Sequence, residues 1–338
     1  MRLVVGYLAT PGGADALALG VRFARTLGAD LDLCMVLPPD RVAPSIKPVG
    51  DFEKHLVAQA EQWLEEARAS VPDDIVVRSH VRIDDSAADG LIQEAARVEA
   101  DMIVVGGSGG LVGSYSLGST VNGLLHSAPL PVAVAPRGTR NSPVDRAREA
   151  TCAIGEREGA DALLDMAVQY SRAAGMPLRL VSLVALDPSF GTLRGDGDAV
   201  RERALAHAHH VHEVAKSELP KDFPVTSMIV EGRTIEEAVG KLDWQDGDLI
   251  MVGSSRLSVP RRLFLGSKAA KMLRVLDVPM VVVPRDQLGP DDLPLAEIDF
   301  GHVLRGALRE ERRSANRLPC VARGRARHPV HSELVHKL

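Results

Sequence analysis

The first 137 residues alternate between two hydrophobic patterns. Short apolar runs typical of buried strands are each followed by a longer segment whose apolar residues recur at helical spacing. The first run, residues 3–7, leads through a Pro-Gly-Gly loop into a predicted helix over 14–27. Five strands that alternate with four helices predict a parallel sheet with right-handed crossovers and helices on both faces. The other predicted strands are 31–37, 75–81, 102–105 and 132–134, and the other helices are 51–70, 86–98 and one that ends near 126.

The same pattern then starts again. The segment Gly-Ala-Asp-Ala-Leu at 13–17 recurs letter for letter at 159–163, and three further motifs recur at nearly the same spacing. These are 101–106 with 248–253, 117–119 with 265–267, and 131–137 with 279–285. Such spacing indicates a tandem duplication. We therefore predict one α/β domain over 1–137, a polar linker over 138–148, a second α/β domain over 149–286, and a flexible basic tail over 287–338.

Composition narrows the class of protein. The chain has 45% hydrophobic and 25% charged residues, which is enough for two domains with their own cores, and only 3% aromatic residues. A net charge of −5 argues against a nucleic-acid binder. No signal peptide or membrane-spanning run is visible, and Cys34, Cys152 and Cys320 lack metal or redox spacing. We expect a cytoplasmic protein without nucleic-acid or membrane partners.

A glycine- and hydroxyl-rich loop at residues 106–120 is the most distinctive stretch of the chain. It lies between a predicted buried strand and a predicted helix, an arrangement that directs backbone N–H groups toward an anion. The loop has no charged residue, so an anion there would depend on N–H groups and hydroxyls. Its copy at 253–267 instead contains Arg256, which favours phosphate by charge but leaves less room for the backbone. The candidate binding residues are Gly106, Ser108, Gly109, Gly118, Ser119 and Thr120 in the first copy, and Gly253, Arg256, Gly266 and Ser267 in the second.

Together the repeated loop, the Gly-Ser helix start and the closing Pro-Val-x-Val-x-Pro-Arg strand resemble the tandem form of the universal stress protein family. The resemblance covers about residues 1–286. It implies two open parallel five-stranded sheets in the order 3-2-1-4-5, paired through their last strands as an intrachain pseudo-dimer. An apolar edge strand with free backbone groups favours such pairing. A further dimer formed by two whole chains is an additional possibility.

The resemblance also implies an adenine nucleotide as ligand. Nucleotide-binding members end the first strand with Asp and wrap the phosphates in a loop of the pattern Gly, two residues, Gly, nine residues, Gly-Ser/Thr. This chain departs from the pattern at three points. Leu8 stands at the Asp position, and only eight residues, instead of nine, separate Gly109 from Gly118 in the first copy. In the second copy Arg256 stands where the second glycine belongs. If ATP is bound, the only metal expected is the Mg²⁺ that accompanies it.

Two further possibilities, a metal site and an enzyme active site, are not supported by the sequence. The tract at His207–His212 contains four histidines, but a helix would put only two pairs of them on shared faces, so we do not predict a metal site. No nucleophile with a neighbouring base is recognisable, which argues against an enzyme.

The interpretation that combines these observations is a non-catalytic regulatory protein of the stress response, with ATP or another adenine nucleotide as its expected ligand. The alternative is an interaction module of the same fold that works without nucleotide. A nucleotide-hydrolysing enzyme ranks third.

Overall fold

A computed structural model of the chain describes residues 1–39, 52–107, 118–155, 160–185, 197–219, 223–254 and 263–284. Strands and helices alternate along these segments. The strands are β1 (Arg2–Gly6), β2 (Asp30–Leu37), β3 (Val77–Ile83), β4 (Met102–Gly106), β5 (Val132–Ala135), β6 (Glu149–Ala153), β7 (Leu178–Ala185), β8 (Val225–Gly232), β9 (Asp248–Gly253) and β10 (Met280–Val283). The helices are α1 (Pro11–Leu27), α2 (Phe52–Ala69), α3 (Ala87–Arg97), α4 (Ser119–Ser127), α5 (Ala160–Ala174), α6 (Gly197–Glu218), α7 (Ile235–Gly240) and α8 (Ser267–Leu273), with a 3-10 turn at Thr139–Asn141.

All ten strands belong to one sheet, in the order β3-β2-β1-β4-β5-β10-β9-β6-β7-β8. Within each half the strands are parallel and follow the predicted order 3-2-1-4-5. The halves join where β5 and β10 pair antiparallel, with Val281 opposite Ala133. The predicted α/β fold and the pairing through the last strands are confirmed.

Helices cover both faces of the sheet, and each face has one hydrophobic core that both halves share. One core lies under α1, α2, α5 and α6, and the other lies under α3, α4, α7 and α8. The side chains are mainly Leu, Val, Ile, Ala and Met, as the low aromatic content requires. Burial of one such Leu or Val side chain contributes about 1.5–3 kcal/mol, so the shared cores help to hold the halves together.

Two predicted boundaries are wrong by two or three residues. Helix α1 begins at Pro11, three residues before the predicted start, because the Thr10 hydroxyl accepts a hydrogen bond from the Gly13 N–H (3.2 Å) and proline fits a first helical turn. Strand β3 begins at Val77, two residues late, because the Ile75 N–H bonds to the Pro72 carbonyl in a turn (3.1 Å).

Several predictions fall outside the described residues. Ser108, Gly109, Arg256, Cys320 and the tail over 287–338 lie there. Within the described segments, no helix combines the length and the apolar character needed to span a bilayer.

Candidate functional site

The candidate site lies where β1 and β4 run side by side in the first half. Chains leaving these two strands turn in opposite directions along the sheet, and open α/β sheets bind ligands at such a switch point. A cleft of about 770 Å³ opens there, at the carboxyl ends of the strands. This volume is in the range of small-molecule sites. Four predicted residues of the first copy line it together: Gly106, Gly118, Ser119 and Thr120.

Close backbone contacts form the floor of the cleft. A Cβ added to Gly106 would lie 1.9 Å from the carbonyl oxygen of Gly12, and one added to Gly13 would lie 1.8 Å from the carbonyl oxygen of Leu8. Only glycine fits at such distances. The loop between β1 and α1 is therefore held directly against the end of β4, and Gly106 serves this packing whether or not a ligand is bound.

Helix α4 points its N-terminus into the cleft. Gly118 is the N-cap residue and supplies no side-chain cap, and the first helical N–H with a helical partner is that of Asn122, which bonds to the Gly118 carbonyl (2.9 Å). Among the described residues, none accepts a hydrogen bond from the N–H groups of Ser119, Thr120 or Val121. Together with the two hydroxyls, these N–H groups and the helix dipole favour an anion.

Two arginines that the sequence reasoning missed also line the cleft. Arg137 and Arg140 follow β5 and reach the cleft because parallel strands end at the same edge of the sheet. A signal for them was present, since the repeated Pro-Val-x-Val-x-Pro-Arg motif ends in an arginine just after a strand. The loop at 106–120 has no charged residue, whereas the cleft beside it is lined by these two arginines.

Asp15 holds this arginine segment in place. Its carboxylate is only 2% exposed and accepts hydrogen bonds from Arg140 Nη1 (2.8 Å), the Arg140 N–H (3.0 Å) and the Gly138 N–H (3.2 Å). Arg140 Nη1 also donates to the Pro11 carbonyl (3.1 Å). The chain that leaves β5 is thereby fixed against the start of α1, which keeps Arg140 at the cleft wall.

The opposite end of the cleft is apolar. It is lined by the side chains of Leu8, Cys34, Val36, Ala87, Leu91 and Val105. Burial, with a smaller contribution from the charge of Glu94, raises the pKa of the Cys34 thiol to about 12, so the thiol stays protonated at neutral pH. Leu8, at the position where an acid was expected, is 52% exposed.

Three predicted residues of the second copy lie within the described segments. Gly253 ends β9, and a Cβ added to it would meet Leu163 at 3.7 Å, an ordinary contact. Gly266 caps α8 without a side-chain bond, and Ser267 begins that helix, which has seven residues. The segment before α8 is bound to the first half: the N–H groups of Leu263 and Leu265 donate to the carbonyls of Ala128 (2.8 Å) and Leu125 (2.9 Å) at the end of α4.

The histidine tract lies on α6. His212 is buried against the Ser182 hydroxyl (3.0 Å), and its pKa is lowered mainly by burial. His207, His209 and His210 are exposed. In the part of the chain that the structure describes, no three His, Cys, Asp or Glu side chains are grouped to hold a metal ion. Cys152 is buried, and burial raises the pKa of its thiol to about 12.

Comparison with known proteins matches both halves of the chain to one family. A model described as the universal stress protein family matches residues 1–136 and 148–284. A universal stress protein of Mycobacterium tuberculosis is 29% identical over 294 residues, which cover 84% of this chain and 100% of that protein. A universal stress protein from Archaeoglobus fulgidus superposes with a TM-score of 0.59 at 18% identity, covering 86% of this chain and 97% of the other. A functionally unknown protein from Pseudomonas aeruginosa PAO1 does so with a TM-score of 0.52 at 17% identity, covering 91% and 96%.

Proposed function

Because the chain belongs to the universal stress protein family, we propose that it is a non-catalytic regulatory protein that binds an adenine nucleotide, with ATP as the expected ligand. The proposed site is the cleft of the first half. The observation that carries the proposal is the uncapped N-terminus of α4, which opens into that cleft beside Arg137 and Arg140.

The α4 end of the cleft has the chemistry of a phosphate site. Gly118, Ser119, Thr120, Arg137 and Arg140 line the same cleft, so backbone N–H groups, two hydroxyls and positive charge lie along its wall. Charge-assisted hydrogen bonds from such donors are about twice as strong as neutral ones. A phosphate chain would replace water at donors that are already oriented, so little of the binding energy is lost in ordering them.

The apolar end has the chemistry of a slot for a ring. Val36, Leu91 and Ala87 offer aliphatic surface against which a flat base can pack, and the cleft is large enough for a whole nucleotide. A ligand with a flat hydrophobic ring at one end and phosphates at the other matches both ends of the cleft.

The described lining residues also support a role without catalysis. Cys34 is protonated, the carboxylate of Asp15 is occupied by three donors, and no histidine is among the described residues that line the cleft. A nucleophile and a base within hydrogen-bond reach are therefore absent from this set.

One observation favours the alternative of an interaction module. Leu8 places a half-exposed apolar side chain at the cleft where a nucleotide-binding member would have an acid. A protein that works without nucleotide would still use the same fold, so only a binding measurement separates the two.

The test is a calorimetric titration of the full chain with ATP and Mg²⁺. We expect saturable binding with a Kd below about 1 mM, which corresponds to a binding free energy more favourable than about −4 kcal/mol. Ser119→Pro should weaken it about tenfold, because proline removes one N–H and one hydroxyl yet fits a first helical position after Gly118, whose ψ is 159°.

Ser267→Pro is the matched control, since Gly266 has a ψ of 156° and the proline would occupy the same position of α8. It should leave ATP binding unchanged. Absence of binding at millimolar ATP would refute the nucleotide proposal and favour the interaction module. Hydrolysis above background that disappears in Ser119→Pro would instead identify an enzyme.

A further inference from the structure

We infer that a segment of the second half positions the nucleotide site of the first half. This segment, residues 263–265, lies just before α8 and holds the C-terminal end of α4, the helix whose N-terminus opens into the cleft. It is called the arm below. The inference rests on the proposed function, because it assumes that phosphates bind at the N-terminus of α4.

The arm caps α4 with backbone hydrogen bonds. The last four carbonyls of a helix lack a partner inside it, and in α4 they are those of residues 125–128, because the Ala128 N–H still bonds to the Leu124 carbonyl (2.9 Å). The Leu265 N–H donates to the Leu125 carbonyl (2.9 Å). The Leu263 N–H donates to the Ala128 carbonyl (2.8 Å). The second half therefore satisfies two of the four.

Side chains strengthen this contact. Leu263 and Leu265 are 1% and 6% exposed, and they belong to the same core as Leu124 of α4. Between them, Phe264 meets the ring of His126 edge to face, with 5.0 Å between the ring centroids. The last turn of α4 is thus held by the second half through both backbone and side chains.

Ser254 fixes the arm to the sheet of the second half. This residue follows β9 and is 6% exposed, and its hydroxyl accepts a hydrogen bond from the Phe264 N–H (2.8 Å) and donates to the Phe264 carbonyl (3.3 Å). Its own N–H donates to the Val283 carbonyl at the end of β10 (2.8 Å). In the repeat, Ser254 corresponds to Gly107, which has no side chain to make such bonds.

Helix α4 is short enough to depend on these contacts. It has nine residues, and isolated helices shorter than about 12–15 residues are marginal in water. Its middle packs on α3, where a Cβ added to Gly123 would lie 2.8 Å from the Cβ of Ala88, whereas its last turn packs on the arm. The free N–H groups of its first turn converge on an anion only while that turn is helical. The apparent affinity for phosphate therefore scales with the fraction of molecules in which α4 is formed.

This dependence has to act in both directions. If the arm raises the affinity for a ligand at α4 by some factor, the ligand strengthens the arm contacts by the same factor. Nucleotide bound at one end of α4 should therefore slow the opening of the hydrogen bonds at its other end, about 14 Å away. A segment that only supported the fold would not respond to the ligand.

The first measurement is amide hydrogen exchange of the full chain with and without saturating ATP and Mg²⁺. We expect exchange of the Leu263 and Leu265 N–H groups to slow by at least about threefold. The control is the Met176 N–H, which bonds to the Ser171 carbonyl (3.0 Å) after α5 and belongs to the core on the other face of the sheet. Its exchange should not change.

The second measurement is ATP titration of two serine variants. Ser254→Ala removes both hydroxyl bonds to Phe264, and we expect ATP affinity to fall about three- to tenfold. Ser182→Ala is the matched control, because Ser182 is also 6% exposed in the second half and its hydroxyl bonds to the Ile154 carbonyl (3.2 Å), away from the arm. It should lower the melting temperature to a similar extent and leave ATP affinity within about twofold.

The outcomes separate this inference from the proposed function. If ATP binds, but either the arm amides are not protected or Ser254→Ala binds ATP as tightly as the unmodified chain, the inference is wrong and the proposed function stands. Equal weakening by Ser254→Ala and Ser182→Ala would also overturn the inference, since general loss of stability would then explain both. If ATP does not bind the unmodified chain, both are wrong.

Discussion

The first helix of each half carries the same four residues near its start, Ala-Asp-Ala-Leu at 14–17 and at 160–163, yet the two aspartates have different environments. Asp15 is buried and accepts three hydrogen bonds from the segment that follows β5. Asp161 lies exposed in the first turn of α5. Identical local sequence thus produces the same helix in both halves, while a tertiary contact made from more than 120 residues away decides what the aspartate does.

The glycines that end the fourth strand of each half differ in the same way. Gly106 is pressed against the Gly12 carbonyl, whereas among the described residues the nearest atom to a Cβ on Gly253 would be 3.7 Å away. In the first half the geometry of fold and cleft depends on one close approach of two backbones. The described part of the second half shows no such approach at the equivalent position.

The largest expected difference in stability is between alanine substitutions at the two glycines. Gly106→Ala forces a methyl group into a backbone carbonyl, so we expect the free energy of unfolding to fall by at least about 3 kcal/mol. Gly253→Ala should change it by less than about 1 kcal/mol, because the added methyl meets only ordinary contacts among the described residues. Urea denaturation monitored by circular dichroism measures both free energies of unfolding. Equal losses in the two variants would show that the close approach of Gly12 and Gly106 is not a constraint.

A smaller loss of stability is expected from alanine substitution at the two equivalent aspartates, Asp15 and Asp161. Asp15→Ala leaves the part-buried N–H groups of Gly138 and Arg140 without their acceptor, which should cost about 1–3 kcal/mol. Asp161→Ala removes an exposed carboxylate from the first turn of a helix and should cost less than about 1 kcal/mol. The same denaturation measurement applies. A harmless Asp15→Ala substitution would contradict the role of Asp15 as the anchor of the arginine segment.

The smallest effect concerns a polar pair in the second half. By sheet register, Ser182 of β7 corresponds to Met35 of β2, a fully apolar position, and it bonds to buried His212. Burial lowers the pKa of His212, so the unfolded chain binds its proton first as the pH falls, and stability present above about pH 6.5 is lost below it.

We therefore expect the folded chain to lose stability through this histidine as the pH falls from 7 to 5. His212→Asn should remove that part of the pH dependence. The exposed His209→Asn on the same helix is the control and should leave the curve unchanged. Parallel curves for all three proteins would show that His212 is not held neutral in the folded state.

Much of the fold was predictable because it follows from periodicity and repetition. Apolar runs alternating with helical patterns identified the strands, and the repeated motifs identified two copies of one topology. The early start of α1 was less visible, because it depends on the Thr10 cap and on a Pro-Gly-Gly run that normally reads as a loop. Strand β3 was placed too early because Ile75 is buried in a turn instead of a strand.

The candidate site was predictable only where its residues follow each other in sequence. Gly106, Gly118, Ser119 and Thr120 were identified because they form one motif, and they do line one cleft. Arg137, Arg140 and the apolar lining from β2 and α3 were missed, since they come from separate elements that meet only when the strands are ordered 3-2-1-4-5. The role of Asp15 could not be read from sequence at all, because its copy Asp161 has identical neighbours.

The central claim is that the nucleotide site lies in the first half, and the number of ATP molecules bound per chain tests it most directly. Calorimetric titration of the full chain should give one site, with Ser119→Pro weakening it and Ser267→Pro leaving it unchanged. Two equivalent sites, or one site that is lost in Ser267→Pro and kept in Ser119→Pro, would contradict the account.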